Sequence, residues 1–218
     1  MKQHTIPLLI AAAATAAIAV GCATKQQASP QDLDRQTQAI VKASFRDQGI
    51  AKTDRLSQDK MQVACSSDQA PSKAVEDQIM AEARASVKWP AGGRYIGDWK
   101  QGEKLAQSGR GLTWTDPSSA TASNGGNCYN CHQLSKAELS YGTIGPSLYR
   151  YGRNRDVTDL AAPAAQPTIE YTWIKIYNAK AFNACSTMPR FGHAGMLDTA
   201  QMADLMALLL DPKSPVNQ

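Results

Sequence analysis

The sequence predicts an all-α protein, and two observations favour this fold class. Apolar residues recur at helical spacing between Arg35 and Trp89, as in Val75, Ile79 and Ala83. Near the end of the chain a second apolar stretch with helical spacing begins near Asp198 and stops before Pro212. Segments rich in glycine, proline and serine lie between the helical stretches and predict loops.

The remaining helices follow from local start and stop signals. Ser72 predicts the start of a helix, and the chain breaks again at 89–93, where proline and two glycines follow each other. The stretch 98–108, DWKQGEKLAQS, places its apolar residues on one face of a helix. A loop is expected over 115–127, and a further helix over 170–181.

Length, composition and charge are ordinary for a globular chain. The 218 residues suffice for one or two small domains with a hydrophobic core. The net charge of +4 is too small to indicate a nucleic-acid partner, and no basic run with interleaved aromatic residues occurs in the sequence. We therefore expect no nucleic-acid binding.

The first twenty-one residues have the pattern of an export signal. Lys2 lies in a short polar start, and the apolar run 6–20 follows it. This run is shorter than the roughly 20 apolar residues of a transmembrane helix. Residues 1–21 are therefore predicted to be a signal peptide, and 22–34, polar and proline-containing, a linker.

Cys22 follows a small residue at the end of this leader. The sequence Ala19-Val20-Gly21-Cys22 resembles a bacterial lipobox in which alanine stands in place of the usual leucine. Lipidation of Cys22 would anchor a periplasmic protein to a membrane surface. Cleavage after Ala23 is the alternative, and it would release a soluble periplasmic protein.

Residues 128–132, Cys-Tyr-Asn-Cys-His, match the attachment pattern of haem c. The thiols of Cys128 and Cys131 would add to the two vinyl groups of one haem, and His132 would bind the iron. A redox dithiol does not need this histidine and would be expected after a strand. A zinc site would need further ligands, and Cys65, Cys185 and His193 offer no paired spacing.

A haem iron has a second axial position, and Met188 is the predicted ligand. It lies downstream of the haem motif in an irregular segment, and Pro189 after it stiffens the loop. His/Met ligation suits reversible one-electron transfer. His193 and Met196 are the weaker alternatives, whereas Met202 and Met206 have the spacing of core residues.

Gly145-Pro146 lies between the haem motif and Met188. In class I cytochromes c such a proline carbonyl accepts a hydrogen bond from the proximal imidazole. The order of helix, haem motif, Gly-Pro turn, helix, Met-Pro loop and final helix is the plan of that class. We therefore predict a class I cytochrome c domain over 94–218, preceded by a helical N-terminal extension over 35–93.

Five cysteines occur in the chain, and two remain after these assignments. An exported protein meets an oxidising compartment, where Cys65 and Cys185 would form one disulfide. Two buried free thiols are the alternative.

Four stretches give a more specific resemblance. They are GDWKQGEKLAQSGRGL at 97–112, NGGNCYNCHQLSKAELSYGTIGPSLYRYG at 124–152, YTWIKIYNAKAFNACSTMPRFGHAGMLD at 171–198 and MALLLDPKSPVN at 206–217. In these segments the chain resembles the SoxX family, the monohaem cytochrome c subunits of SoxXA complexes in bacterial sulfur oxidation. Cys65, followed by Ser66, resembles the partner of Cys185 in members with an extended N-terminus.

The resemblance implies a function that spacing alone does not predict. SoxXA couples thiosulfate oxidatively to a cysteine of the SoxYZ carrier, an L-cysteine S-thiosulfotransferase reaction. Catalysis is expected in the SoxA partner, a haem subunit that would form a heterodimer with this chain. This chain would relay electrons to a downstream cytochrome c. The alternatives are a stand-alone periplasmic electron carrier and a haem protein with an open distal site.

Overall fold

A computed structural model of the protein describes residues 28–218. The predicted signal peptide, 1–21, and Cys22 lie outside the described residues. Within 28–218 the chain forms α-helices at α1 (Pro30–Ser44), α2 (Lys60–Cys65), α3 (Lys73–Ala85), α4 (Trp99–Gln107), α5 (Gln166–Tyr177) and α6 (Thr199–Leu210). Short 3₁₀ helices occupy Thr53–Leu56, Ala91–Gly93, Thr121–Ser123, Cys128–Asn130, Arg153–Arg155, Pro163–Ala165, Ala179–Ala181 and Pro215–Asn217.

The described part of the chain contains no β-strand, only an isolated bridge between Gln48 and Ala51. The all-α fold class is therefore confirmed for residues 28–218. None of the helices in this range has the length and apolar character that crossing a bilayer requires.

α1 belongs to a compact unit of its own, which ends at Phe45. The Ser29 hydroxyl caps the helix by accepting a hydrogen bond from the backbone N–H of Asp32, and Pro30 fits the first turn. α1 therefore begins inside the segment 22–34, which is predicted from the sequence to be a linker. No side chain of α1 is buried.

Residues 46–218 form the second compact unit, and its core is built on α6. Asp198 caps this helix, and its carboxylate accepts a hydrogen bond from the backbone N–H of Gln201 at 2.9 Å. The large, fully buried apolar side chains of α6 are Met202, Met206, Leu208 and Leu210. Met202 and Met206 are thus core residues, as their spacing predicts.

α4 crosses α6 at very short range, because Gly102 lies at the crossing. A methyl group on Gly102 would lie 2.1 Å from the backbone oxygen of Asp204. The backbone N–H of Gly97 donates to the carbonyl of Ala203 at 2.9 Å, and that of Asp98 donates to the Asp204 carboxylate at 2.8 Å. The start of α4 is therefore hydrogen-bonded directly to α6.

α5 packs beside α6 and carries Trp173, which is completely buried. The indole N–H donates to the carbonyl of Lys88 at 3.0 Å, so α5 also binds the segment after α3. The helix begins four residues earlier than Glu170, its expected start, because Pro167 is tolerated in a first turn. It ends at Tyr177, where Asn178 is extended, and Ala179–Ala181 continues as a 3₁₀ helix.

The residues after α6 close the core. Asn217 is 5% exposed, and its side-chain oxygen accepts from the backbone N–H of Gly152 at 2.9 Å. Its amide nitrogen donates to the carbonyl of Leu209 at 3.0 Å. This one side chain thereby joins the segment after the Gly-Pro turn to the end of α6.

Candidate functional site

The haem motif forms a single 3₁₀ turn, Cys128–Asn130. The carbonyl of Cys128 accepts hydrogen bonds from the backbone N–H groups of Cys131, at 3.1 Å, and His132, at 2.9 Å. Asn127, before the turn, adopts a left-handed conformation. The two thiols and the imidazole are consequently presented from one tightly bonded turn.

The turn is held in place by the end of α4. The backbone N–H of Gly126 donates to the carbonyl of Leu105 at 2.8 Å, and that of Asn127 donates to the carbonyl of Ser108 at 2.9 Å. On the other side, the backbone N–H of Gly145 donates to the carbonyl of Cys131 at 2.8 Å. The motif is therefore bonded to α4 before it and to the Gly-Pro turn after it.

His132 is oriented by the Gly-Pro turn. Its Nδ1 lies 2.7 Å from the carbonyl oxygen of Pro146. Because a carbonyl can only accept, Nδ1 donates this hydrogen bond, which leaves Nε2 as the ring nitrogen available to a metal ion. A methyl group on Gly145 would lie 2.1 Å from the imidazole, so the ring packs directly on the glycine backbone.

Cys128 and Cys131 are both free and half-buried. Cys128 packs against the main hydrophobic core. Burial raises the pKa of the Cys128 thiol to about 12, and the neighbouring Cys131 adds to this effect. Redox dithiols and zinc sites use thiols with a lowered pKa. The surroundings of Cys128 therefore favour its neutral thiol over the thiolate.

Cys65 and Cys185 form a disulfide with an S–S distance of 2.04 Å. This is the pair that remains after the sequence assignments, and the alternative of two free thiols is absent from the structure. Both sulfurs are thereby withdrawn from any zinc site with the haem motif. Across residues 28–218 no group of three or more His, Cys, Asp or Glu side chains has a metal-binding arrangement.

Met188 lies in the segment between α5 and α6 and packs, half-buried, against the main core. Cys185 precedes it in the disulfide, and Arg190 follows it in an ion pair of 2.7 Å with Asp59. Arg190 also lies 4.0 Å from the sulfur of Met61. The Met188 loop is thus fixed to α2 on both sides of the methionine.

The two weaker ligand candidates are placed differently. His193 is exposed, and its Nδ1 lies 3.2 Å from the Ser86 hydroxyl. Partial desolvation of the ring, and then the charge of Arg190, lower the pKa of His193. Met196 is half-buried against the main core. The backbone of Met196 is hydrogen-bonded to Phe191 and to the Asn124 side chain. Met188 instead lies between a disulfide-bonded cysteine and an ion-paired arginine.

Two residues of this region, Asp59 and Lys180, have no signal in the sequence. The ion pair of Asp59 joins residues 131 positions apart, and local patterns carry no information on such a contact. Gly145 is part of the Gly-Pro signal, but its contact with the imidazole depends on the folded turn. Cys22 lies outside the described residues.

The comparison with family models gives no match. A comparison with curated proteins finds an uncharacterized lipoprotein of Aquifex aeolicus (strain VF5). It is 33% identical over 207 residues, which cover 91% of this chain and 93% of the relative. At this identity and coverage, the chain belongs to the same family as the Aquifex aeolicus lipoprotein.

Proposed function

We propose that the protein is a class I c-type cytochrome with one covalently bound haem c. The observation that carries this proposal is the geometry of His132, whose Nδ1 proton is held by Pro146 while Nε2 stays free. The order of haem motif, Gly-Pro turn and Met-Pro loop supports the class. When bound, the haem supplies reversible one-electron chemistry at its iron.

Different residues of this chain would hold different parts of the haem. Cys128 and Cys131 would provide the thioether bonds, and His132 and Met188 would bind the iron. Pro146 keeps the proton on Nδ1 and so fixes the ring orientation and its basicity. The buried side chains of Tyr129 and Leu134, on and just after the motif, exclude water from this part of the core.

The ligand set is tested on the holoprotein. A near-infrared band of methionine-to-iron charge transfer is expected in the oxidised state, and Met188→Ala should abolish it. Met196→Ala is the matched control, because it removes a second half-buried methionine near the same core and should leave the band intact. A band that persists in Met188→Ala would refute Met188 as the ligand.

We further propose that the chain acts as the electron-relay subunit of a SoxXA-type complex, with catalysis in a SoxA-like haem partner. The support is the resemblance of 97–217 to the SoxX family and the cysteine inventory. In the disulfide-bonded form Cys65 and Cys185 carry no thiol, so after haem attachment none of the cysteines in 28–218 offers a free sulfur acceptor. The catalytic thiol would therefore lie on another protein.

Purification from the native host separates this role from that of a stand-alone electron carrier. We expect a larger haem subunit to copurify, and thiosulfate coupling to require this chain together with SoxA and SoxYZ. A lone monomer that fails to support coupling when SoxA and SoxYZ are supplied would refute the proposal.

The relative's description as a lipoprotein supports lipidation of Cys22 and a membrane-anchored protein of the cell envelope. We propose that the mature chain begins at a lipidated Cys22 on the periplasmic side. Intact mass spectrometry of the mature protein reads lipid, haem and disulfide together. A mature N-terminus at Thr24 would instead establish the soluble form.

A further inference from the structure

A buried lysine lies beside the disulfide. Lys180 is 6% exposed, and its Nζ lies 4.0 Å from the Sγ of Cys65 and 2.8 Å from the carbonyl oxygen of Ala184. The same carbonyl lies 3.5 Å from the Cys65 sulfur. The ammonium group therefore faces one sulfur of the bond.

The surroundings of this sulfur carry an excess of positive charge. Lys180 takes part in none of the ion pairs formed by residues 28–218. The nearby carboxylate of Asp59 is paired with Arg190. Burial lowers the pKa of Lys180, and the charge of Arg190 lowers it further, while Asp59 opposes them. A negative charge on Cys65 would therefore meet the Lys180 ammonium group, which forms no ion pair within residues 28–218.

From this geometry we propose that Cys65–Cys185 is a thiol–disulfide exchange site, with Cys185 as the attacked sulfur and Cys65 as the leaving group. A leaving thiolate departs faster when its charge is stabilised, and a neighbouring cation lowers a thiol pKa. Lys180 provides that stabilisation for Cys65. The co-reactant is a small thiol or dithiol reductant.

The reaction balances in two steps. A thiolate attacks the Sγ of Cys185, a new S–S bond forms there, and the electron pair of the broken bond goes to Cys65, which leaves as a thiolate. A second thiolate of the reductant then attacks the mixed disulfide at the sulfur that came from the reductant, and Cys185 leaves as a thiolate. The reductant is oxidised to a disulfide, and the two cysteines are reduced.

A reductant can reach Cys185, so the direction is set by the position of Lys180 beside Cys65. The residue is half-buried, but Asn183 and Thr187 around it are exposed, so a reductant approaches from the loop side. Opening the bond removes one of the two attachments of the Met188 loop to α2. The Arg190–Asp59 ion pair remains as the other. The exchange site would therefore control the mobility of this loop.

The first test measures disulfide reduction by dithiothreitol in the full mature chain, with alkylation and mass spectrometry at intervals. Lys180→Met should slow reduction about fivefold, because the leaving thiolate loses its cation. Lys180→Arg should stay close to wild type. Lys175→Met is the matched control, since Lys175 is a partly buried lysine whose charge lies over Phe182. Equal rates in Lys180→Met and wild type would refute the proposal.

A second test needs no variant. Wild-type protein is treated with a limiting amount of glutathione, trapped with an alkylating reagent and mapped by peptide. The mixed disulfide should lie predominantly on Cys185, and an adduct distributed equally or mainly on Cys65 would overturn the assignment. Peptide mapping keeps Cys128 and Cys131 separate. Neither readout depends on the haem, so failure here leaves the proposed electron transfer untouched.

Discussion

The Nδ1 atom of His132 lies 2.7 Å from the carbonyl oxygen of Pro146, and the imidazole rests on the backbone of Gly145 between them. The hydrogen bond fixes the tautomer and the glycine fixes the plane of the ring. Both features come from a turn that is bonded to the motif through Gly145 N–H and the Cys131 carbonyl. The histidine is thus oriented by backbone atoms.

Gly145→Ala should therefore disturb the histidine directly. The added methyl group would lie 2.1 to 2.7 Å from three imidazole atoms, so the ring must move away from Pro146. We expect the free energy of unfolding to fall by about 1–3 kcal/mol in urea denaturation. Gly109→Ala is the control, because its methyl group would meet only the flexible side chain of Asn127, at 3.3 Å. Equal losses in both variants would contradict the prediction.

Asp59 should contribute to stability through both its charge and its cap. Its carboxylate pairs with Arg190 and accepts from the backbone N–H of Gln62. Burial raises the pKa of Asp59, but the hydrogen bonds from Gln62 and Arg190 outweigh it, so the net pKa is lowered. The folded pKa of Asp59 therefore lies below the unfolded pKa of 3.8. The stabilisation is complete above pH 3.8, and it is lost as the pH falls through the folded pKa.

Two substitutions of Asp59 separate these contributions. Asp59→Asn keeps the cap and should cost up to about 1 kcal/mol at neutral pH, since the carboxylate is partly exposed. Asp59→Ala also loses the cap, for about 1 kcal/mol more. Urea denaturation at neutral pH and well below pH 3.8 measures both losses. In acid, the free energy of unfolding of Asp59→Asn should approach that of wild type. A constant difference across pH would show that the charge contributes nothing.

The charge of Asp204 should have the opposite effect on stability from that of Asp59. Burial raises its pKa, the hydrogen bond from Asp98 N–H opposes this, and the carboxylates of Asp98 and Asp198 raise it further. A folded pKa above the unfolded one destabilises the protein at neutral pH, and this cost disappears as pH falls through the folded value. Asp204→Asn keeps an oxygen for the Asp98 N–H and should raise the free energy of unfolding at neutral pH by about 0.5–1 kcal/mol. The gain should vanish below 3.8, and a loss at neutral pH would contradict the prediction.

Helix starts that depend on a local cap are predicted well from the sequence. Ser72 caps α3 and Asp198 caps α6, and the interval 98–108 contains α4 with Asp98 as its cap. A cap depends on a few neighbouring residues, so it is readable from them. The start of α5 is missed because a proline can both end a segment and begin a helix, and only the fold decides which applies to Pro167.

Long-range tertiary contacts account for the features that the sequence does not predict. Lys180 looks like an ordinary surface lysine in the sequence, yet it is buried beside Cys65, 115 positions earlier. The same holds for Arg190 and Asp59. The disulfide pair follows from cysteine counting, but the charges around it depend on how α2 meets the Met188 loop. Burial of a charged residue at such a separation has no periodic signature.

The crossing of α4 and α6 at Gly102 has a consequence for the order in which the chain is made. α4 cannot bury its inner face until α6, about a hundred residues later, has left the ribosome. Contacts between such distant segments also slow folding. Until its last helix is complete, the polypeptide therefore lacks the partner on which α4 packs.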